Sequence, residues 1–125
     1  MLLDTCAFVW LAMGEAKLSK QVRQMIEIAD AVFVSAISAF EIAHKYAAGG
    51  LELPIEPGQW FAQVVSKHNL TEIPITSEIA IAATKLPPLH KDPCDRFIIA
   101  TAKLNRLPVI TADRRFDDYG IETYC

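Results

Sequence analysis

Four carboxylates scattered along the 125-residue chain, Asp4, Glu41, Asp95 and Asp113, occupy positions from which they can converge. Asp4 and Asp113 each follow a short apolar run, while Glu41 and Asp95 fall where helical patterns open. Two unit charges ~5 Å apart repel by about 3 kcal/mol at an effective dielectric of about 20, so four acids in one crevice need compensation. A divalent cation supplies it. Magnesium favours one or two carboxylates together with waters and phosphate oxygens. Such an ion lowers the pKa of a bound water and stabilises charge on a phosphate and its leaving oxygen. These residue types therefore point to phosphodiester hydrolysis with Mg2+ or Mn2+, the four acids being both ligands and catalytic set.

Each acid also has a plainer explanation. Asp113, in Ala112-Asp113-Arg114, suits a turn cap. Glu41 can pair with Lys45 at i+4, and Asp95 complements the dipole of the helix it opens. Asp92 can be a turn residue ahead of Pro93. Asp4, ending a buried strand, has the least local reason to be acidic.

The elements that must position these acids follow from apolar spacing. Met1 to Asp4 is a short buried strand, and Thr5 to Ala12 has helical spacing. Ser19 caps a helix carrying Val22, Met25, Ile26 and Ala29 on one face. Ala31 to Val34 is the second strand. From Ser38, taken as a cap, a third helix runs to Gly49-Gly50 and places Glu41 in its first turn. Pro57 to Lys67 is a fourth helix, and Thr71 to Ile75 a strand. Thr76 or Ser77 caps Ile79 to Lys85, which Pro87-Pro88 ends. Leu86 to Cys94 reads as a loop, Asp95 as the start of the next helix, and Pro108 to Thr111 as a buried strand. Ile121 to Tyr124 is a candidate edge strand. The alternation predicts an α/β fold, a central mostly parallel sheet of four to five strands flanked by helices, in a single domain over residues 1–125. In open parallel sheets ligands bind outside the carboxyl ends of the strands, where Asp4 and Asp113 fall.

Composition narrows the function classes. Hydrophobic residues form 52% of the chain without any run near the ~20 needed to span a membrane, and Met1-Leu2-Leu3-Asp4 lacks the basic start of a signal peptide. A cytoplasmic protein is expected. Cys6, Cys94 and Cys125 are too few and too irregularly spaced for a disulfide framework or zinc site. With a net charge of -3, the chain has no global basic field, so attraction for a nucleic acid must be local or metal-mediated. His90, Lys91 and Arg96, beside Asp95, are candidate phosphate contacts, with a solvated surface as the alternative. Trp10, Trp60 and Phe61 can stack bases or simply pack the core.

Four segments in order carry a family resemblance across essentially the whole chain. They are Leu2-Leu3-Asp4-Thr5, Ser35 to Ala43 around Glu41, His90 to Ala100 around Asp95, and Ile110-Thr111-Ala112-Asp113. Together they resemble the PIN-domain ribonucleases, and within them the VapC toxins of bacterial toxin-antitoxin pairs. The resemblance implies a PIN-like fold, a metal-dependent endoribonuclease acting on RNA, a homodimer, and inhibition by a cognate VapB-like antitoxin. It carries the acidic set onto Asp4, Glu41, Asp95 and Asp113, with Asp92 as an accessory that either binds water or shapes the loop. Thr5 and Thr111 are accessories as well, either orienting a carboxylate or a metal-bound water, or serving as ordinary strand residues. Cys6 and Cys94 replace the His and Phe frequent in relatives, which leaves every acid in place. The competing function is a PIN-like protein that binds RNA or a partner without cleaving it. A receiver domain lacks its acceptor Asp after Val32-Phe33-Val34, and an aspartate phosphatase would want an Asp where Cys6 stands.

Overall fold

The computed structural model describes all residues from Met1 to Cys125. In chain order the elements are β1 (Leu2–Leu3), α1 (Thr5–Met13), α2 (Lys20–Ile28), β2 (Phe33–Ser35), α3 (Ala36–Ala47), α4 (Pro57–Lys67), β3 (Thr71–Ile73), α5 (Ser77–Thr84) and α6 (Pro93–Asn105). They are followed by β4 (Val109–Ile110), a short 3-10 helix (Arg114–Tyr119) and β5 (Thr123–Tyr124). The strands form one five-stranded sheet in the order β3-β2-β1-β4-β5, and every pairing is parallel.

Alternation along the strands divides the core between the two faces of the sheet. Leu3, Val34 and Ile110 point to one face, where Phe8 of α1, Val22 of α2, Ile42 of α3 and Phe61 of α4 cover them. Leu2 and Val109 point to the other, against Ile98 and Ile99 of α6 and Phe116 and Tyr119 of the 3-10 helix. Burial on both faces explains why β1 and β4 are continuous apolar pairs. Trp60 and Phe61 belong to this core: Phe8 stacks on Phe61 at 4.9 Å and meets Trp60 edge-on at 5.9 Å. No helix is long and apolar enough to cross a membrane.

Strand order creates the crevice. From central β1 the chain moves outward through β2 to β3, then returns through α5 and α6 to β4 on the other side of β1. Connections leaving the carboxyl ends of β1 and β4 therefore diverge, and this is the point where open sheets bind ligands.

Two helix starts differ from the sequence expectation. β2 runs straight into α3, and Ser35, not Ser38, is the cap: its backbone is extended and its Oγ accepts from the Ile37 N–H at 3.1 Å. Glu41 consequently lies in the second turn, not the first, and Ser38 is buried inside the helix. Pro93 does not break the chain as expected; it occupies the first turn of α6, where its missing N–H costs nothing, and Asp92 caps that helix by accepting from the Cys94 N–H at 2.9 Å.

Candidate active site

Asp4 leaves the end of β1 and caps α1, its Oδ1 accepting from the Ala7 N–H at 2.8 Å. It therefore has the local structural role that its sequence context did not reveal. Only 8% exposed, its carboxyl is pushed upward by burial; the Thr111 hydroxyl and the Ala7 N–H oppose that, and the charges of Glu41 and Asp113 add to it. Asp95, in the first turn of α6, is raised to about 6 by burial, by Asp92 and by Glu41, with His90 opposing and Asp4 contributing. Glu41 thus raises both carboxyls, and Asp4 adds to the shift at Asp95. Distant segments have delivered mutually repelling acids to one crevice.

Glu41 is held by hydroxyls. The Thr5 Oγ1–H donates to Glu41 Oε1 at 2.5 Å, and Ser38 Oγ lies 2.8 Å from the same Thr5 oxygen. Since the Thr5 proton goes to the carboxylate, Ser38 must be the donor to Thr5. The chain Ser38, Thr5, Glu41 therefore links α3 to α1, with both hydroxyl residues buried. Thr5 thus opens α1 instead of continuing the strand, and its hydroxyl is bonded to a carboxylate. Ser38 lies inside α3 and not at its cap, and its three-residue spacing from Glu41 on one helical face is the signal that it shares the site.

Asp113 differs from its neighbours. It caps the 3-10 helix through the Arg115 N–H at 3.0 Å, and its two oxygens are forked by Arg115 Nε and the terminal guanidinium at 3.0 and 2.8 Å. Its second oxygen also lies 3.0 Å from His90 Nε2. The Arg115 side chain, then the His90 hydrogen bond, hold its carboxyl well below the usual range against the opposing effect of burial. Thr111 accepts from the Asp113 N–H at 3.0 Å and reaches Asp4, joining the two strand-end acids. One ligand atom each from His90, Asp95 and Asp113 lie within 4.8 Å of one another. That tighter group includes neither Asp4 nor Glu41.

Two residues expected to contact RNA are turned inward. The His90 ring is buried, with Nδ1 2.9 Å from the Tyr119 hydroxyl as well as Nε2 on Asp113. Arg96 spends its guanidinium on the carbonyls of Ala83 and Leu86, both at 2.8 Å, Pro87 at 2.9 Å and His90 at 3.3 Å. It fastens the α5–α6 loop and has little left for phosphate. Only Lys91 of that trio is exposed. Asp92 is exposed and caps α6, which accounts for its acidity through the loop-shaping role. The three cysteines are unpaired, and burial, followed by the surrounding acids, pushes the Cys94 thiol to about 12.

Donor chemistry favours a hard cation. Asp4, Glu41, Asp95 and Asp113 offer only carboxylate oxygens, and the upward shifts at Asp4 and Asp95, set first by burial and then by neighbouring acids, mark sites where ionisation is costly without a cation. Fold and site together define a parallel-sheet α/β protein with an acidic crevice at its switch point. The PIN domain family matches residues 1–122. Ribonuclease VapC22 of Mycobacterium tuberculosis is 34% identical over 116 residues, spanning 92% of this chain and 88% of that protein. Among solved structures, VapBC2 from Rickettsia felis bound to a DNA fragment from its promoter aligns with a TM-score of 0.72 at 13% identity, over 98% of this chain and 96% of that one. A toxin-antitoxin complex from Klebsiella pneumoniae aligns with a TM-score of 0.68 at 22% identity, over 99% and 95% of the two chains. The chain belongs to the PIN-domain family.

Proposed function

We propose that this protein is a metal-dependent endoribonuclease and the toxin of a toxin-antitoxin pair, with Asp4, Glu41, Asp95 and Asp113 as its catalytic acids. The observation that carries the reading is the gathering of acids at the divergence of β1 and β4, where Glu41 acts on both Asp4 and Asp95, Asp4 acts on Asp95, and Asp113 is joined through Thr111. Similarity to Ribonuclease VapC22 over most of both chains supports the nuclease assignment. The toxin-antitoxin complexes of the same fold support a VapB-like antitoxin as partner; a homodimer as the working form is what the family resemblance implies.

Asp4, Asp95, Asp113 and Glu41 would hold Mg2+ or Mn2+. Such an ion supplies a more acidic bound water and stabilises charge on the phosphate and leaving oxygens. The protein's own residues prepare the rest. Thr5 and Ser38 fix the Glu41 carboxylate through hydrogen bonds that need no rearrangement during reaction. Glu41, held at one oxygen by Thr5 and free of hydrogen bonds to the protein at the other, would accept the proton of an attacking water. Lys91 at the rim, together with exposed Lys45 and Arg114, would meet flanking phosphates.

Purified antitoxin-free protein should cleave RNA in magnesium or manganese and stop in EDTA. Asp4→Asn and Asp95→Asn should each abolish cleavage while remaining folded, Asn being chosen because it preserves the helix cap at position 4. Full activity in both variants would defeat the mechanism. RNA binding without cleavage by the unaltered protein would favour the non-cleaving alternative. Arrest of bacterial growth on induced expression, relieved in Asp95→Asn, tests the toxin role.

A further inference from the structure

On distance alone, His90, Asp95 and Asp113 form a compact trio that a metal could bridge. The hydrogen bonds around the imidazole argue otherwise. Ionised Asp113 can only accept, so the proton between it and His90 resides on Nε2 whether the ring is neutral or charged. A protonated Nε2 has no lone pair for a cation. The other nitrogen is taken as well, 2.9 Å from the Tyr119 hydroxyl, which donates to it when the ring is neutral. We propose that His90 and Tyr119 form a strut that positions the Asp113 carboxylate for cation binding, His90 being a positioning residue and not a ligand. This inference rests on the metal reading given above.

The ring cannot easily turn to do anything else. Its side chain is 1% exposed, Phe116 meets it edge-on at 5.3 Å, and the Tyr119 ring lies 5.5 Å away. Its backbone is fixed too, because Arg96 binds the His90 carbonyl along with those of Leu86 and Pro87 in the α5–α6 loop and of Ala83 in α5. Tyr119 ends the 3-10 helix that Asp113 caps, and it packs against Ile98 and Ile99 of the helix bearing Asp95. The strut therefore ties the Asp113 turn to the loop leading into α6. Hydrogen-bond partners of ligating carboxylates set their orientation, and removing one typically costs about 10- to 100-fold in metal affinity. Arg115 also grips Asp113, but from a side chain 61% exposed, whereas the strut approaches from the protein interior.

The test is Mn2+ binding to the intact chain without RNA, by calorimetry and by electron spin-echo spectroscopy. Tyr119→Phe keeps the packed ring and loses only the hydroxyl; it should weaken Mn2+ by several-fold. His90→Ala should weaken it by about 10- to 100-fold with the number of ions unchanged. His90→Gln, whose amide can still donate to Asp113, should recover most of that loss. The unaltered protein should show no nitrogen bonded directly to Mn2+. A directly bonded nitrogen that vanishes in the His90 variants would make His90 a ligand and overturn the proposal. Unchanged affinity in folded Tyr119→Phe and folded His90→Gln and His90→Ala would overturn it by leaving the strut a packing role alone. Absence of Mn2+ binding by the unaltered chain would instead defeat the metal reading, and this inference with it.

Discussion

Asp95 and Asp113 reach one another in space yet titrate in opposite directions. Asp95 rises from 3.8 to about 6 through burial and neighbouring acids, whereas Asp113 falls because Arg115 and His90 donate to it. A metal entering the site must displace the Asp95 proton below about pH 6. Cation affinity should therefore strengthen as pH rises through 6 and level off above it, measured by calorimetry between about pH 5 and 7.5; Asp95→Asn should remove that step. Without metal the sign reverses for stability. The folded chain binds this proton more tightly than the unfolded chain, so Asp95 contributes stability that is full below 3.8 and lost as pH rises through about 6. Melting of metal-free protein should show that loss, and Asp95→Asn should flatten it. The hydroxyl chain makes a separate prediction. Thr5→Val deletes the donor to Glu41 and should lower kcat by about tenfold, the loss of one charge-assisted bond, with KM little changed. Thr5→Ser should retain most activity.

Helix starts organise the site at the next scale. Asp4, Asp92 and Asp113 each cap the helix that follows, so capping and the site reading coincide at these positions. This coincidence limits what a sequence can tell. The order of strands and helices, the parallel sheet and the strand-end acids were legible because periodicity and turn residues are local signals. Cap choice at α3 was not, because Ser35 and Ser38 are both good caps and only the direct run of β2 into α3 decides between them. The inward turn of His90 and Arg96 was hidden for a different reason. A polar loop reads as exposed, and only the packing of Tyr119 and the open carbonyls of residues 83–90 draws these side chains in. Tyr119 carries no local signal of its own. Asp92 separates the two levels experimentally. Asp92→Ala should cost about 1 kcal/mol by urea unfolding, whereas Asp92→Asn should cost little. Both should lower the Asp95 titration midpoint seen by NMR, since Asp92 is the largest charge raising it.

Across the whole molecule, a net charge of -3 and a partly buried acidic cluster would make the proposed metal a structural partner as well as a reagent. Binding that relieves carboxylate repulsion in the native state, and has no counterpart in the unfolded chain, must stabilise the fold. At a cation concentration about 100 times Kd the gain is about 2.7 kcal/mol, which for a domain of this size is a melting shift on the order of 10 °C. Scanning calorimetry with and without Mn2+ should show it at pH 7 and show much less at pH 5. With no global basic field, the proposed function would have RNA drawn by the ion and by the few rim cations such as Lys91. The most direct measurement is cleavage of a circular single-stranded RNA, which has no ends for an exonuclease. Antitoxin-free protein with Mn2+ is predicted to linearise the circle, and EDTA, Asp4→Asn or Asp95→Asn to leave it closed. Linearisation at an undiminished rate in EDTA and in both variants would contradict the account.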